Sequence, residues 1–432
     1  MAESFFVLFG NSQVELDYDK MLQVLKYIMK KVIFTKMEAD VEFKISFEQK
    51  RFWILVMIVS ISGFSQGMLM PLISVIFEKD GVSSSLNGLN ATALYIGTLL
   101  ISPFIEQPLR KFGYKPIILT GGAVVFFALM LFPLWKHVLF WFILRLLIGI
   151  GDHSLHYSTQ TWITSSSPEN RLGKNIAIYG LSFGIGFAVG PLFVPLTEIS
   201  EAFPFIISSM LCLAAWSLVF FLKNERPEPI QTKSVVDNIF KRYVVTLKFA
   251  WVACLPSLCY GFLESTLNSL FPVYALRNHF EVSMVSFILA AFSIGGILTQ
   301  IPLGILGDKI GRRKIVLTSL LGGGIIFGLG SIVESYQWMV AICFGLAGMF
   351  CGSLFSLGIS YMSDMTPREL LPTGNLMCSI FFSVGSLTGP LLGGLYLQYV
   401  HHFSFLLLVS IGLLIVFLIS WYFGKRPTSQ LV

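Results

Sequence analysis

The 432-residue chain is 55% hydrophobic and only 12% charged, and its mean hydropathy is +0.76. A soluble domain normally carries about 25% charged residues, so this composition excludes an ordinary soluble protein. The net charge of +6 lies in short basic loops between apolar segments, which excludes a nucleic-acid-binding domain as its source. The six cysteines fall inside apolar segments without CxxC spacing, so we expect neither a disulfide framework nor a metal site.

The first fifty residues differ from the rest because they mix charged and apolar side chains. Residues 21–36 have the pattern of a basic, amphipathic helix at a membrane surface. The segment has neither the basic start nor the small-residue cleavage site of a secretory signal. We interpret residues 1–50 as a cytoplasmic tail that is not essential to function, so that translation beginning at Met37 would also be compatible with activity.

From residue 52 onward, long stretches carry no charge, for example 52–77, 284–307 and 403–424. Each stretch is long enough to cross a bilayer as a helix, and a helix satisfies its own backbone polar groups in lipid. We therefore predict an all-α membrane protein with twelve transmembrane helices. The predicted spans are 53–77, 88–107, 116–135, 138–160, 174–196, 203–222, 247–273, 284–306, 315–333, 337–361, 374–397 and 403–423.

The chain repeats itself after about 199 residues. Gly149 and Gly348 are 199 positions apart, and "LRKFGYKPI" at 109–117 aligns with "GDKIGRRKI" at 307–315. Such a repeat predicts two pseudo-symmetric six-helix bundles with the substrate path between them. The predicted divisions are a tail at 1–50, bundles at 51–222 and 244–424, a charged cytoplasmic linker at 223–243 and a tail at 425–432.

Lysine and arginine are concentrated in the loops on the side of the two termini. The opposite loops hold only Lys79, Lys136 and Arg277. By the positive-inside rule, both termini of a multi-pass protein with this bias are cytoplasmic. We expect the cell membrane as its location.

The turn between the eighth and ninth spans carries Gly304, Asp308, Gly311, Arg312 and Arg313. We expect the two glycines to let helix ends approach closely. Asp308 is expected to cap or complement the N-terminus of the following helix. The two arginines cannot cross lipid and would hold this turn on the cytoplasmic side.

These five residues resemble the cytoplasmic signature of the major facilitator superfamily. "RLLIGIG" at 145–151 is similar to the fourth-helix motif of that superfamily. Gly186, Gly190 and Pro191 resemble the fifth-helix motif of its proton-coupled antiporters. The resemblance covers about residues 52–424 and implies the major facilitator fold and secondary transport.

Within that superfamily, "STQTWI" at 158–163 and "GFLESTLNSLFPVYALR" at 261–277 resemble the uncharacterised bacterial YcaD-like and YfkF-like transporters. Gln160 stands where that group often has glutamate. Phe193 and Val194 stand where the antiporter motif usually continues with glycines.

Ionisable residues inside membrane spans are costly and mark functional sites. On the fourth span, Arg145, Gly149, Asp152 and His156 share one helix face because they are spaced i, i+4, i+7 and i+11, whereas His153 is expected to face elsewhere. Asp152 is a candidate proton carrier or counter-charge, and Arg145 would influence its protonation. The alternative is a structural pair that joins helices.

Glu264 in the seventh span is the third ionisable candidate. Its repeat counterpart lies near Gly63, so this acid breaks the pseudo-symmetry, whereas a structural feature of the repeat would be mirrored. A carboxyl group in a low-dielectric environment favours its protonated form and can exchange protons near neutral pH. Binding of a cationic substrate and a plain interhelical hydrogen bond remain open as alternatives.

Several polar residues inside the spans are predicted to line a cavity. Each could instead make an interhelical hydrogen bond worth about 0.6 kcal/mol. The candidates are Gln66, His156, Tyr157, Gln160, Trp162, Asn268 and Gln300.

The chain has no GxxxxGK[ST] phosphate-binding loop, so ATP is not expected to drive it, and we expect no enzyme activity and no cofactor. We predict a monomeric secondary transporter in a lipid bilayer that exports a small amphipathic molecule by alternating access, driven by protons. The alternatives are an importer or facilitator of a polar metabolite, and a non-transporting sensor or lipid-handling protein on the same scaffold.

Overall fold

The computed structural model describes residues 47–167, 169–227, 239–367, 370–400 and 403–424. The predicted surface helix at 21–36, the C-terminal tail and most of the linker lie outside the described residues. The described residues form fourteen α-helices and no strand. The helices are α1 (Phe47–Lys79), α2 (Ser84–Ile101), α3 (Glu106–Phe112), α4 (Tyr114–Leu131), α5 (Val138–Ser166), α6 (Glu169–Val189), α7 (Ala202–Leu218), α8 (Ile239–Arg277), α9 (Val282–Ile310), α10 (Arg312–Ile332), α11 (Gln337–Cys351), α12 (Leu354–Met365), α13 (Leu371–Tyr399) and α14 (Phe405–Phe423).

The helices correspond to the predicted spans. Among the described residues, ten helical stretches are long and apolar enough to cross a membrane, and the pair α2 and α3, bent by 59°, makes eleven. The remaining predicted span, 247–273, lies within the 39-residue helix α8. The prediction of an all-α membrane protein is therefore confirmed.

Two groups of helices carry separate hydrophobic cores. One large cluster of buried apolar side chains lies between residues 250 and 413. Two further clusters lie between residues 55 and 219 except for Leu222 and Val282 at their margins. Separate cores are what two six-helix bundles require, because each bundle buries its own apolar faces. The exact boundaries at 51–222, 223–243 and 244–424 remain a prediction.

Close helix contacts recur at repeat-related glycines. A Cβ atom at Gly186 of α6 would collide with the backbone carbonyl of Ser60 on α1. At the related position in α13, a Cβ atom at Gly385 would collide with the carbonyl of Leu258 on α8. Both pairs of helices therefore pack backbone to backbone, as small residues allow in membranes.

The turns between the second and third spans of each half both contain a glycine with a positive φ angle. Gly113 has φ +92° and Gly311 has φ +100°, a region that favours glycine because it has no Cβ atom. Two expectations for this turn are wrong. Open space surrounds Gly304 and Gly311 instead of a neighbouring helix, and helix α10 begins without a side-chain cap.

The two halves meet in a cluster of polar contacts that we call the latch, made of Glu78, Ser84, Arg277 and Leu397. The guanidinium group of Arg277 pairs with the Glu78 carboxylate at 2.7 Å. It also donates to the Ser84 hydroxyl at 2.7 Å and to the Leu397 carbonyl at 3.2 Å. The latch joins the halves where α1 and α8 end.

Further contacts between the two halves lie next to the latch. The side-chain amide of Asn87 donates to the carbonyl of Ser269 at 3.2 Å. A Cβ atom at Gly88 would collide with the carbonyl of Pro390 on α13. Helices α2 and α13 thus close this end of the described structure, which is the end opposite the start of α1 and the end of α14.

Candidate functional site

A cavity of about 510 Å³ lies between the two groups of helices. This volume is in the range of about 300–1,000 Å³ that small-molecule sites occupy. Its lining comes from α1, α2, α5 and α6 on one side and from α8, α9, α12 and α13 on the other, with Gly352 between α11 and α12. Asn268, the α8 lining residue nearest the latch, precedes Arg277 by roughly 14 Å along the helix axis.

Asp152 lies on the α5 wall of the cavity with 4% of its surface exposed. Both carboxylate oxygens accept hydrogen bonds from α1. The Ser62 hydroxyl donates at 2.5 Å, and the Gln66 amide donates at 2.6 Å. These donors compensate for the loss of water around a buried carboxylate.

A chain of hydrogen bonds continues from this carboxylate. The Ser62 oxygen lies 2.9 Å from Nε2 of His156. The other ring nitrogen, Nδ1, lies 3.0 Å from the Tyr179 hydroxyl, which is 3.1 Å from the hydroxyl of Thr159. His156 is more exposed to the cavity than Asp152, so it links cavity water to the carboxylate through Ser62.

Glu264 lies on the opposite wall, on α8. It is partly exposed to the cavity. Its neighbour on the preceding helical turn is Tyr260, and Asn268 on the next turn donates its side-chain amide to the backbone carbonyl of Glu264 at 2.8 Å. The carboxylate therefore faces the cavity between two polar lining residues of its own helix.

Arg145 lies behind the cavity wall. It is fully buried, and its guanidinium group donates to the Asn90 side chain at 3.1 Å and to the Met70 carbonyl at 3.5 Å. The Nε atom of Arg145 has no hydrogen-bond partner among the described residues. The cation thus holds α1, α2 and α5 together and does not reach the cavity surface.

The structure brings six of the sequence-predicted residues together. Those that line the cavity are Gln66, Asp152, His156, Glu264, Asn268 and Gln300.

Three other cavity candidates, all on α5, do not line it. Gln160 is exposed on the helix, and Tyr157 stacks on His153 with ring centres 6.3 Å apart. Trp162 is fully buried, stacks on Tyr114 with ring centres 5.2 Å apart and donates to the carboxylate of Glu225 at 2.8 Å. The prediction that these three residues line the cavity is wrong.

Sequence reasoning missed His153 and the aromatic residues of the cavity. His153 lines the cavity, contrary to expectation, and its ring lies 3.0 Å from the Ser102 hydroxyl. On the α8 side, Tyr260, Phe355 and Phe382 form an aromatic wall, with ring centres 6.1 Å apart for Tyr260 and Phe382 and 5.2 Å for Phe355 and Phe382. The spacing i, i+4 of Tyr260 and Glu264 was the available signal for the first of them.

None of the five residues of the cytoplasmic signature lines the cavity. Arg312 bridges two carboxylates, Asp308 at 3.1 Å and Asp364 at 2.8 Å. Asp308 therefore pairs within the turn and does not cap α10 as expected. Arg313 donates to the carbonyl of Trp421 on α14 at 2.8 Å. These arginines tie the turn to α12 and α14.

The fifth-helix motif also acts through packing. Gly186 of α6 and Gly190, directly after α6, lie against the backbone of α1, where a Cβ atom at Gly190 would come within 2.6 Å of the Phe64 carbonyl. From Gly190 to Glu198 the chain continues as a 3₁₀ helix with Pro191 in its first turn. The motif sets the position of α6 against α1 and hence of Tyr179 against His156.

Comparison with known proteins places this architecture in a family. The model of the "Major Facilitator Superfamily" matches residues 55–281 and 253–431. An "Uncharacterized MFS-type transporter YfkF" of Bacillus subtilis is 55% identical over 349 residues, which cover 80% of this chain and 88% of that protein.

Two more distant proteins are also similar. The "Proton-coupled antiporter flippase LtaA" of Staphylococcus aureus is 26% identical over 407 residues, which cover 88% of this chain and 97% of that protein. The crystal structure of the nucleoside transporter NupG has a TM-score of 0.73 at 11% identity and covers 88% of this chain and 100% of that one. At this identity, the structural likeness shows the fold alone.

Proposed function

The chain belongs to the Major Facilitator Superfamily, and on that premise we propose that this membrane transporter exports small amphipathic molecules in exchange for protons. It is a multi-pass membrane protein and not an enzyme. The exchange proceeds by alternating access, in which two bundles open the central cavity to one side of the membrane at a time.

The observation that carries the proposal is a cavity that the two halves share, with a carboxyl group on each wall. Asp152 projects from α5 and Glu264 from α8. Acids inside a membrane mark ion pathways and proton relays. Because the two walls belong to different halves, relative motion of the halves changes the access of both acids to water.

The hydrogen bonds that connect the Ser62 hydroxyl and the His156 imidazole to Asp152 support proton exchange at this carboxylate. Ser62 touches both Asp152 and His156, so a proton taken up by the imidazole ring can be passed to the carboxylate. Arg145 contributes a fixed positive charge behind this wall. The relative named as a proton-coupled antiporter agrees with this form of coupling.

The proposed orientation follows from loop charge. Both termini are cytoplasmic in the cell membrane, the latch is extracellular, and the conformation described is closed to the outside. The linker at 223–243 joins bundles at 51–222 and 244–424, and one chain forms the complete transporter.

The proposal is tested by purified protein in liposomes with a trapped pH-sensitive dye. A panel of amphipathic dyes with cationic, neutral and anionic members is added outside. Export coupled to protons predicts that at least one member raises the internal pH as it exchanges for protons. Asp152→Asn is expected to lower that proton movement roughly tenfold or more, equivalent to at least about 1.4 kcal/mol in the barrier.

Asp80→Asn is the matched control, because Asp80 pairs with Lys136 outside the cavity. This variant is expected to move protons at the parental rate. If labelled compounds exchange across the membrane but no member of the panel moves protons, the chain is a facilitator and the proposal is wrong.

A further inference from the structure

The charged groups of the cavity surface are mainly negative. Asp152 and Glu264 contribute carboxylates, and no lysine or arginine is found among the described residues that line the cavity. The basic lining groups are His153 and His156, and each imidazole is hydrogen-bonded to a serine, Ser102 or Ser62. A ligand therefore meets negative charge and no fixed positive charge.

The two carboxylates differ in what surrounds them. Asp152 is 4% exposed and accepts hydrogen bonds from two side chains of a neighbouring helix, Ser62 and Gln66. Glu264 is partly exposed, and its lining neighbours Tyr260 and Asn268 belong to its own helix. A ligand can approach Glu264 from the cavity without displacing a donor that comes from another helix, whereas at Asp152 such donors already occupy both oxygens.

Aromatic rings surround the approach to Glu264. The aromatic wall of Tyr260, Phe355 and Phe382 belongs to the same half, and Tyr95 and Phe292 also line the cavity. Faces of aromatic rings attract cations through their quadrupoles, and the attraction increases when the cation is desolvated. A carboxylate beside several rings combines charge pairing with this attraction.

Arg145 does not oppose a cation in the cavity. Its guanidinium group is fully buried behind the wall and is held by Asn90 and the Met70 carbonyl. Because the only arginine of α5 lies behind the wall, the cavity surface remains negative. An anionic substrate would have to dehydrate beside two carboxylates without a lysine or arginine partner on the described cavity surface, which is costly.

We infer that the cavity binds a monovalent organic cation that carries aromatic groups, with Glu264 as its counter-charge and Asp152 taking no part in its binding. This assignment rests on the proposed function, because it takes the shared cavity to be the transport site. The two acids then have different roles: Glu264 binds the substrate and Asp152 carries the proton.

The test is equilibrium binding of radiolabelled tetraphenylphosphonium to the full-length protein in detergent, with no proton gradient. Binding of radiolabelled tetraphenylborate, which has nearly the same shape and the opposite charge, is measured in separate samples because the two ions form a poorly soluble salt when mixed. We expect saturable binding of the cation and none of the borate. Glu264→Gln is expected to weaken binding at least tenfold, and Asp152→Asn less than about threefold.

Ser158→Ala on the same helix as Asp152 is the control for nonspecific changes, because the Ser158 side chain is fully buried away from the cavity. Equal losses in Glu264→Gln and Asp152→Asn, an unchanged affinity in Glu264→Gln, or saturable binding of tetraphenylborate would overturn the inference. If Glu264→Gln does not elute as a single folded species, the comparison of cation and borate on the parent protein decides.

The binding test and the proton test fail independently. Binding of the cation without any proton movement would leave the inference standing and refute proton-coupled export. Proton movement driven only by neutral or anionic dyes would support the proposed function and refute the cation site.

Discussion

Asp152 accepts a hydrogen bond at each of its two carboxylate oxygens. Its two oxygens accept from Ser62 and Gln66, and Ser62 also contacts His156. Hydrogen bonds to charged groups contribute about 1.5–3 kcal/mol each when buried. The serine hydroxyl is thus both a ligand of the carboxylate and its link to the imidazole ring.

Replacing Ser62 by alanine removes that link while keeping both titratable groups. We expect the rate of proton-coupled transport to fall roughly tenfold, which corresponds to losing about 1.4 kcal/mol. Affinity for tetraphenylphosphonium is expected to stay within about twofold, since Ser62 is not a neighbour of Glu264. Initial transport rates and binding isotherms of the same preparation check both values.

Ser158→Ala is the matched control for this variant, because Ser158 is also buried and its hydroxyl has no hydrogen-bond partner among the described residues. A Ser62→Ala protein with parental transport rates would show that protons reach Asp152 without the serine.

Helix rotation predicted the cavity positions of Asp152 and His156 correctly but failed for His153, which lines the cavity, and for Arg145, which does not. Asp152 and His156 are four residues apart and lie about 40° apart around the helix, whereas Tyr157 is rotated from Asp152 by about 140°. Polarity selected Tyr157, Gln160 and Trp162, and none of the three lines the cavity. Residue type identifies a polar side chain but does not determine the direction in which it points.

At the scale of helices, the latch connects repeat-related positions. Glu78 and Arg277 are 199 residues apart, which is the period of the repeat, and they end the first helix of each half. Positions related by a two-fold axis meet where the helices converge on that axis. Opposite charges at these positions make a pair that the repeat alone would not create.

Loss of the latch is expected to open its end of the molecule. The pair is partly exposed, so Arg277→Ala removes only about 1 kcal/mol, which shifts a two-state population roughly fivefold. The measurement is labelling of an added cysteine, Asn268→Cys, by a membrane-impermeant maleimide on intact cells. We expect Arg277→Ala to raise the labelling rate about fivefold.

The charge-swapped double variant Glu78→Arg with Arg277→Glu is the control that restores the attraction. Its labelling rate is expected to return towards that of the parent. Identical labelling rates with and without Arg277 would mean that the latch does not hold this end closed.

The fourteen helices follow the apolar runs closely, because a run of this length has no other stable form in lipid. The contacts made within the turns were harder to predict from the sequence. Asp308 has the residue type of a cap, but the nearby Arg312 and its second partner Asp364 draw it into an ion-pair network. That outcome depends on α12, which is far away in sequence.

At the scale of the whole molecule, the repeat predicts both the fold and the place of the cavity. Two homologous halves with separate cores meet along a shared surface, and the acids of interest lie on either side of it. The sequence could not reveal the aromatic wall, since Phe355 and Phe382 are two among forty phenylalanines and nothing in the sequence distinguishes those that line the cavity.

Accumulation against a gradient tests coupled export most directly. Everted membrane vesicles that contain the parent protein are given an interior one pH unit more acidic than the medium, with tetraphenylphosphonium outside. Electroneutral exchange of one proton for one cation predicts accumulation up to about tenfold, which collapses when an ionophore removes the pH difference. Equilibration of the cation without accumulation, at a rate that does not depend on pH, would contradict proton-coupled transport through this cavity.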